Sequence, residues 1–387
     1  MNTHWEDLQN QIDIIKKKSL YRKCVETSGI DFCSNDYLGL ASNDELKEEF
    51  IKNARLHTTG STASRLVKGH RKEMTTFEQN FSEFVGTEAS LIVSTGYVAN
   101  MGLIDTIADS QTIIFTDRLN HASILDGIRI SGGIKKYYHH LDMDHLEFLL
   151  ESISLEPNYS KKKKIIVSET LFSMDGDSPD LKRLMKIKRR FDCTLILDEA
   201  HALGVFGDSG RGMCFEQLES EEIKNIEYRI YTLGKSLGLE GGIISTSMIG
   251  REFLVNRMRA FIYSTAPMPI ISATASKSLQ MLKMANRERT HLKFIAETFR
   301  MEMIKLGYSL SPSSSHIIPV LMDTEEIALE YSDILKDKGY DIRAIRPPTV
   351  PTPRLRVSLN AKLKTEDINS LLRCFAEIKQ GKSPNQF

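Results

Sequence analysis

Thr194-Leu195-Ile196-Leu197-Asp198-Glu199-Ala200-His201 is a short apolar run that ends on an acid, and it sets the fold class of this 387-residue chain. A run of that length, rich in β-branched and aliphatic residues and closed by polar ones, reads as a strand buried on both faces. Comparable runs occur at Ser90 to Val93, Thr112 to Thr116, Lys164 to Ser168, Arg229 to Thr232 and Gly242 to Thr246. Between them Asn100 to Ala108 and Leu181 to Arg190 carry apolar residues at helical spacing, and Leu146 to Ile153 does so more briefly. Strands alternating with helices predict an α/β domain with a mainly parallel sheet flanked by helices, over residues 45–275.

The flanks read differently. After the Pro267-Met268-Pro269 break a long helical stretch runs to about Leu306, followed by alternating strands and a helix, which predicts a smaller α+β C-terminal domain over 276–387. Residues 1–44 form an N-terminal segment with a helix and a short strand. In it Trp5, Leu8, Ile12 and Ile15 make one apolar stripe, expected to pack on the chain itself or on a sister subunit. No internal repeat or low-complexity linker separates the two domains, so they are expected to share one rigid unit.

Composition narrows the function classes. With 41% hydrophobic and 26% charged residues the chain can bury one large core and a second, smaller one. Its 51 basic and 51 acidic residues cancel, so no overall field favours nucleic acid or an anionic membrane; Lys161 to Lys164 read as a solvated loop before a strand. The five cysteines, Cys24, Cys33, Cys193, Cys214 and Cys374, show no metal-ligand spacing, which predicts reduced thiols, no metal site and a cytoplasmic protein. Neither a signal-peptide apolar block nor a stretch approaching the roughly 20 apolar residues of a membrane span is present.

The chemistry is expected where the strands end, because open α/β sheets bind ligands beyond the carboxyl ends of their strands. Lys235, in Thr232-Leu233-Gly234-Lys235-Ser236, lies 37 residues after Asp198. A partly desolvated lysine can lose its proton and form an imine with an aldehyde, and a carboxylate at the mouth of a buried strand can hold a protonated pyridine nitrogen. Those are the two groups pyridoxal 5'-phosphate (PLP) requires of a protein. Taken singly, such an Asp is commonly a cap or turn former and such a lysine a solvated loop residue. Three further polar segments follow strands: Ser94-Thr95-Gly96-Tyr97-Val98-Ala99-Asn100, which opens a helix suited to a phosphate, Asp117-Arg118-Leu119-Asn120-His121-Ala122-Ser123, and Glu169 through Asp177. The histidine could lie against an aromatic cofactor or simply cap a helix, and the Asp175-Gly176 pair could be only a turn. Five polar clusters after five strands make independent accidents a poor explanation.

These residues carry a family resemblance over nearly the whole chain. Phe32-Cys33-Ser34-Asn35-Asp36-Tyr37-Leu38-Gly39-Leu40, Gly60-Ser61-Thr62-Ala63-Ser64-Arg65, Asn120-His121-Ala122-Ser123, Phe172-Ser173-Met174-Asp175-Gly176-Asp177, Asp198-Glu199-Ala200-His201, Thr232-Leu233-Gly234-Lys235, Arg346-Pro347-Pro348-Thr349-Val350-Pro351 and Arg354-Leu355-Arg356 resemble, in order, the motifs of the α-oxoamine synthases. These are fold-type-I PLP-dependent transferases that join an amino acid to an acyl thioester with loss of carbon dioxide. The resemblance implies a large domain with a seven-stranded-type, mainly parallel sheet and a homodimer with its active site at the subunit interface. Arg346-Pro-Pro-Thr-Val-Pro and Phe172-Ser-Met-Asp-Gly-Asp look most like the biotin-pathway branch, whose acyltransferases act on L-alanine and pimeloyl-CoA or pimeloyl acyl carrier protein to form 8-amino-7-oxononanoate. Thr59-Gly60-Ser61-Thr62-Ala63 and the short loop holding Pro353 depart from that branch near the expected substrate sites. Glycine with an acetyl thioester, or a longer acyl chain as in autoinducer synthases, therefore stay open as alternatives, and so does a cofactor-binding paralogue kept for a partner interaction.

The resemblance also implies roles. Lys235 would carry PLP and act as base, Asp198 would hold the pyridine nitrogen, His121 would stack on the ring, and His201 and Ser173 would bond its phenolic oxygen. Gly96, Tyr97 and Thr232 would contact cofactor edge and phosphate, with Ser264 or Thr265 reaching in from a second subunit. Arg356 would hold the amino-acid carboxylate with Asn35 beside it, and Arg346 would lie in the substrate region.

Overall fold

The structure is a computed structural model that describes residues 3–18, 20–158 and 161–381. Its main sheet has seven strands: β2 (Ala89–Val93), β3 (Thr112–Asp117), β4 (Ile134–Tyr138), β5 (Lys163–Glu169), β6 (Thr194–Asp198), β7 (Tyr228–Thr232) and β8 (Gly242–Thr246). They lie in the order β2-β8-β7-β6-β5-β3-β4. β8 runs antiparallel to both β2 and β7, and the other pairings are parallel. The six expected strands are all present, within one or two residues of the anticipated ends.

Alternation of side chains sorts the sheet into two buried faces. Ile196 on β6 joins Leu91, Ile114, Val167, Ile230 and Ile244 against the helix Gly96–Ile107. Its neighbours Leu195 and Leu197 face the opposite layer with Ile113, Phe115 and Ile166. Interior strands therefore read as continuous apolar runs. β4 was not anticipated: its sequence Ile-Lys-Lys-Tyr-Tyr alternates half-buried and exposed residues at the edge of the sheet, where charged side chains guard an open strand.

A three-stranded antiparallel sheet, order β11-β12-β9, is built from β9 (Ile317–Leu321), β11 (Arg343–Ile345) and β12 (Arg354–Ser358). A short parallel pairing joins β1 (Ile30–Asp31) to β10 (Tyr340–Asp341). Continuing from β1, Phe32 and Tyr37 accept backbone hydrogen bonds from Ser358 and Ala361 at 2.8 and 2.9 Å, which lays the segment 32–40 against the end of β12. The long helical stretch divides at Ala285 (ψ 41°) into Pro269–Met284 and Asn286–Lys305.

The N-terminal helix Thr3–Lys17 forms as its stripe predicts, yet none of its residues is buried, and Trp5 is 65% exposed. Packing on the chain itself is thus not what the structure shows: within the single chain no part of the stripe is buried. Among the described residues no helix is long and apolar enough to cross a membrane.

Because β2, β3, β5, β6 and β7 all point the same way, their carboxyl ends open along one edge of the sheet. The loops bearing Gly96, His121, Ser173, His201 and Lys235 follow those five ends.

Candidate active site

Two hydrogen-bonded chains organise this edge. One begins at Lys235, half-buried in the loop after β7, whose Nζ is 2.8 Å from His201 Nε2. On its other side His201 Nδ1 is 2.6 Å from the Tyr37 hydroxyl. Tyr37 donates to Asn35 Oδ1 at 3.0 Å, and Arg356 Nη2 donates to the same oxygen at 3.0 Å. With the Tyr37 proton directed to Asn35, the phenol oxygen accepts from His201 Nδ1–H, which leaves Nε2 as an acceptor facing the Lys235 amine. The segment 32–40 thus links the lysine loop of the large sheet to β12 of the small one.

The second chain begins at Asp198, the last residue of β6. Ala200 N–H donates to its Oδ1 at 2.8 Å and Asn100 Nδ2 to its Oδ2 at 2.6 Å. The other Asn100 amide proton reaches Ser123 Oγ at 3.1 Å, and Ser123 Oγ lies 2.7 Å from His121 Nδ1. Ser123 accepts from Asn100 and so donates to His121, fixing the ring's orientation and placing its own proton on Nε2. The His121 backbone N–H donates to Glu169 Oε1 at 2.7 Å.

The electrostatics follow from desolvation. Burial lowers Lys235 to about 8, with Asp198 and Glu169 opposing the shift and Arg356 adding to it. His201 is held well below its ordinary value, first by burial and then by the Lys235 and Arg356 charges, so its imidazole is neutral. Burial also lowers His121. Glu169 is pushed up to about 8 by burial and then by the nearby Asp198.

The other anticipated residues take up distinct places. Gly96 opens the helix Gly96–Ile107, capped by Thr95. A Cβ at Gly96 would stand 3.4 Å from the Thr232 side chain, in ordinary van der Waals contact with it. Thr232 Oγ1 donates to Gly241 O at 2.9 Å and accepts from Gly234 N–H at 3.1 Å, shaping the lysine loop. Tyr97 is exposed, bonds Asp126 and sets its ring edge-on to His121 at 6.1 Å. Ser173 meets the cluster through its carbonyl, which accepts from Arg356 Nε at 2.7 Å. Ser264 and Thr265 line a narrow cleft beside Ser94 and Arg65, at the start of the Gly96 turn. Arg346 has its guanidinium 3.9 Å from Glu325. Tyr37, Asn100, Ser123 and Glu169 complete the site although no role was foreseen for them; Glu169 ends an apolar strand as Asp198 does, and that was its legible signal.

Such an edge offers an amine close to neutrality, a buried carboxylate, two oriented neutral imidazoles and the positive end of a helix. The family model for aminotransferase class I and II matches residues 27–375. The chain belongs to the aminotransferase class I and II family. Within it the chain groups with the α-oxoamine synthases, as its motifs implied. It is 37% identical over 384 residues to a Bacillus cereus protein named "Putative 8-amino-7-oxononanoate synthase", covering 95% of each chain. The 8-amino-7-oxononanoate synthase of Francisella tularensis has the same fold at a TM-score of 0.79, 28% identity, 92% of this chain and 99% of that one. A serine palmitoyltransferase structure that holds PLP reaches 0.88 at 25% identity, with 98% and 99% covered. Membership in this fold-type-I family accounts for the mixed seven-stranded sheet and the smaller antiparallel one.

Proposed function

We propose that this enzyme binds PLP at Lys235 and condenses L-alanine with a pimeloyl thioester, releasing the thiol carrier and carbon dioxide to give 8-amino-7-oxononanoate. The observation that carries the reading is the unbroken hydrogen-bonded chain from the Lys235 amine through His201, Tyr37 and Asn35 to the Arg356 guanidinium. It joins a group suited to an aldehyde with a group suited to a carboxylate. The fit to PLP rests on this structure: both Asp198 oxygens are aligned by N–H donors, and Asn100 Oδ1 is buried without a partner.

When bound, PLP supplies an electron sink for the pair left at the amino acid's Cα. Lys235, close to neutrality, can take up the Cα proton and return it, while His201 Nε2 receives an amine N–H and keeps the side chain aimed. Asp198, braced by Asn100, holds a proton on the ring nitrogen. His121, locked by Ser123, presents a fixed ring face. Arg356, with two edges engaged by Ser173 O and Asn35, keeps a carboxylate in one orientation, which decides the Cα bond that is weakened. The roles of Gly96, Tyr97, Thr232, Ser173 and Arg346 toward cofactor and substrate, the reach of Ser264 or Thr265 from a second subunit of a homodimer, the division at residues 44 and 275, and a cytoplasmic setting belong to the same reading.

The deciding experiment is to identify by mass the product formed from L-alanine with pimeloyl-CoA and with pimeloyl acyl carrier protein. Formation of 8-amino-7-oxononanoate from either donor is expected. Turnover with glycine and an acetyl thioester, or solely with longer acyl chains, would assign the chain to another α-oxoamine synthase.

A further inference from the structure

His140 lies two residues after β4 and takes no part in either chain described above. Its Nδ1 is 2.9 Å from Asp117 Oδ1 and its Nε2 is 3.0 Å from Asp177 Oδ2. Carboxylate oxygens accept and do not donate, so the geometry calls for N–H on both ring nitrogens: His140 is an imidazolium between two acids. Burial by itself would lower its pKa, but the hydrogen bonds to Asp117 and Asp177 prevail and raise it to about 10. The ring stands edge-on to Phe172, with centroids 4.6 Å apart at 87°.

Both acids begin or end a loop of the site. Asp117, fully buried, closes β3 and starts the loop to His121; its Oδ1 also accepts from Leu119 N–H at 2.8 Å and its Oδ2 from Leu141 N–H at 2.9 Å. Asp177 closes the turn that begins at Phe172: Phe172 N–H donates to Asp177 O and Gly176 N–H to Phe172 O, both at 2.9 Å. The carbonyl of Ser173 in that turn holds Arg356 Nε at 2.7 Å. His140 therefore ties the loop carrying His121 to the turn that seats Arg356, across the ends of β3, β4 and β5.

We propose that His140 is a positioning residue for the amino-acid half of the reaction, a cationic clamp that sets the placement of His121 and Arg356 together. This rests on the proposed reading of the site. The clamp acts on the ring face and the carboxylate site, so its loss falls on the amino acid more than on the acyl thioester.

The test uses PLP-saturated parent, His140→Gln and Asp177→Asn, with KM measured separately for L-alanine and the acyl thioester, together with the visible absorbance on titrating L-alanine. A displaced guanidinium predicts that His140→Gln raises the L-alanine KM about tenfold or more and shifts the absorbance titration with it, while the thioester KM changes by less than about twofold. Asp177→Asn, which keeps the Asp117 half of the clamp, is expected to move the same constant less, and it carries the test if His140→Gln does not fold. A lower melting temperature with both KM values unchanged, or both KM values raised equally, would overturn the clamp. A parent that shows neither PLP absorbance nor alanine-dependent turnover overturns the reading of the site and the clamp with it; an active parent with unshifted variants overturns the clamp alone.

Discussion

Lys235 Nζ and His201 Nε2 stand 2.8 Å apart, although 34 residues of chain separate them. A neutral imidazole acceptor at that distance orients the amine without adding a second positive charge beside it. Burial and the Arg356 charge lower Lys235 to about 8, so a substantial share of the amine is unprotonated at physiological pH.

Replacing Lys235 by Ala removes the group in this arrangement that can bond covalently to an aldehyde. Turnover is expected to be lost, and the visible imine absorbance of PLP-loaded protein with it. Borohydride treatment followed by peptide mass analysis checks the point: the parent should be labelled at Lys235 and the variant should not. Equal turnover in the two proteins refutes the assignment.

Asp198→Asn keeps the size of the side chain and removes the charge proposed to hold the proton on the cofactor's ring nitrogen. By analogy with the loss of a preorganised electrostatic contact, kcat should drop by about two to three orders of magnitude. Asn can still accept from Ala200 N–H but turns an amide N–H toward Asn100 Nδ2, so a lower melting temperature is expected alongside the kinetic loss. Steady-state kinetics of PLP-saturated protein decide it, and a kcat within a few-fold of the parent would mean that Asp198 does not sustain the electron sink.

Arg356→Lys retains the charge but not the planar fork that engages Ser173 O and Asn35 and is proposed to hold the amino-acid carboxylate. Losing one charge-assisted hydrogen bond corresponds to about a tenfold to hundredfold rise in the KM for the amino acid. The measurement is KM for L-alanine at saturating acyl thioester. An unchanged value would place the carboxylate elsewhere.

Glu169 makes the cofactor-free protein sensitive to pH. Its folded-state pKa, raised to about 8 from an ordinary 4.5 by burial and Asp198, means that the folded chain keeps a proton the unfolded chain has lost across that window. Stability from this group is present below about 4.5 and is lost as pH rises toward about 8. Glu169→Gln stays neutral and can still accept from His121 N–H. Its melting temperature should therefore decline less than the parent's between pH 5 and pH 8. Parallel curves in thermal melts would show that Glu169 does not retain its proton.

Which segments become strands was legible because interior parallel strands are buried on both faces and leave unbroken apolar runs, as at Leu195-Ile196-Leu197. Their acid and polar followers, Asp198, His201, His121 and Lys235, could be located for the same reason, since the ends of parallel strands converge. β4 was illegible because an edge strand may carry Lys135 and Lys136 without penalty, which erases the pattern. The exposure of the Trp5 stripe was equally hidden: apolar residues at helical spacing predict a helix and a face but name no partner for it.

Residue types and spacing thus established the α/β class and the placing of Lys235, Asp198 and the other polar segments at the strand ends of one sheet edge. Long-range hydrogen bonds settled the rest. Tyr37 bridging His201 to Asn35, Asn100 bracing Asp198, and His140 between Asp117 and Asp177 join residues far apart in the chain, and a hydrogen bond depends on distances of a few tenths of an ångström and on donor direction. Local propensity carries no record of those; they arise when the packed layers bring the strand ends and the small sheet to a common edge.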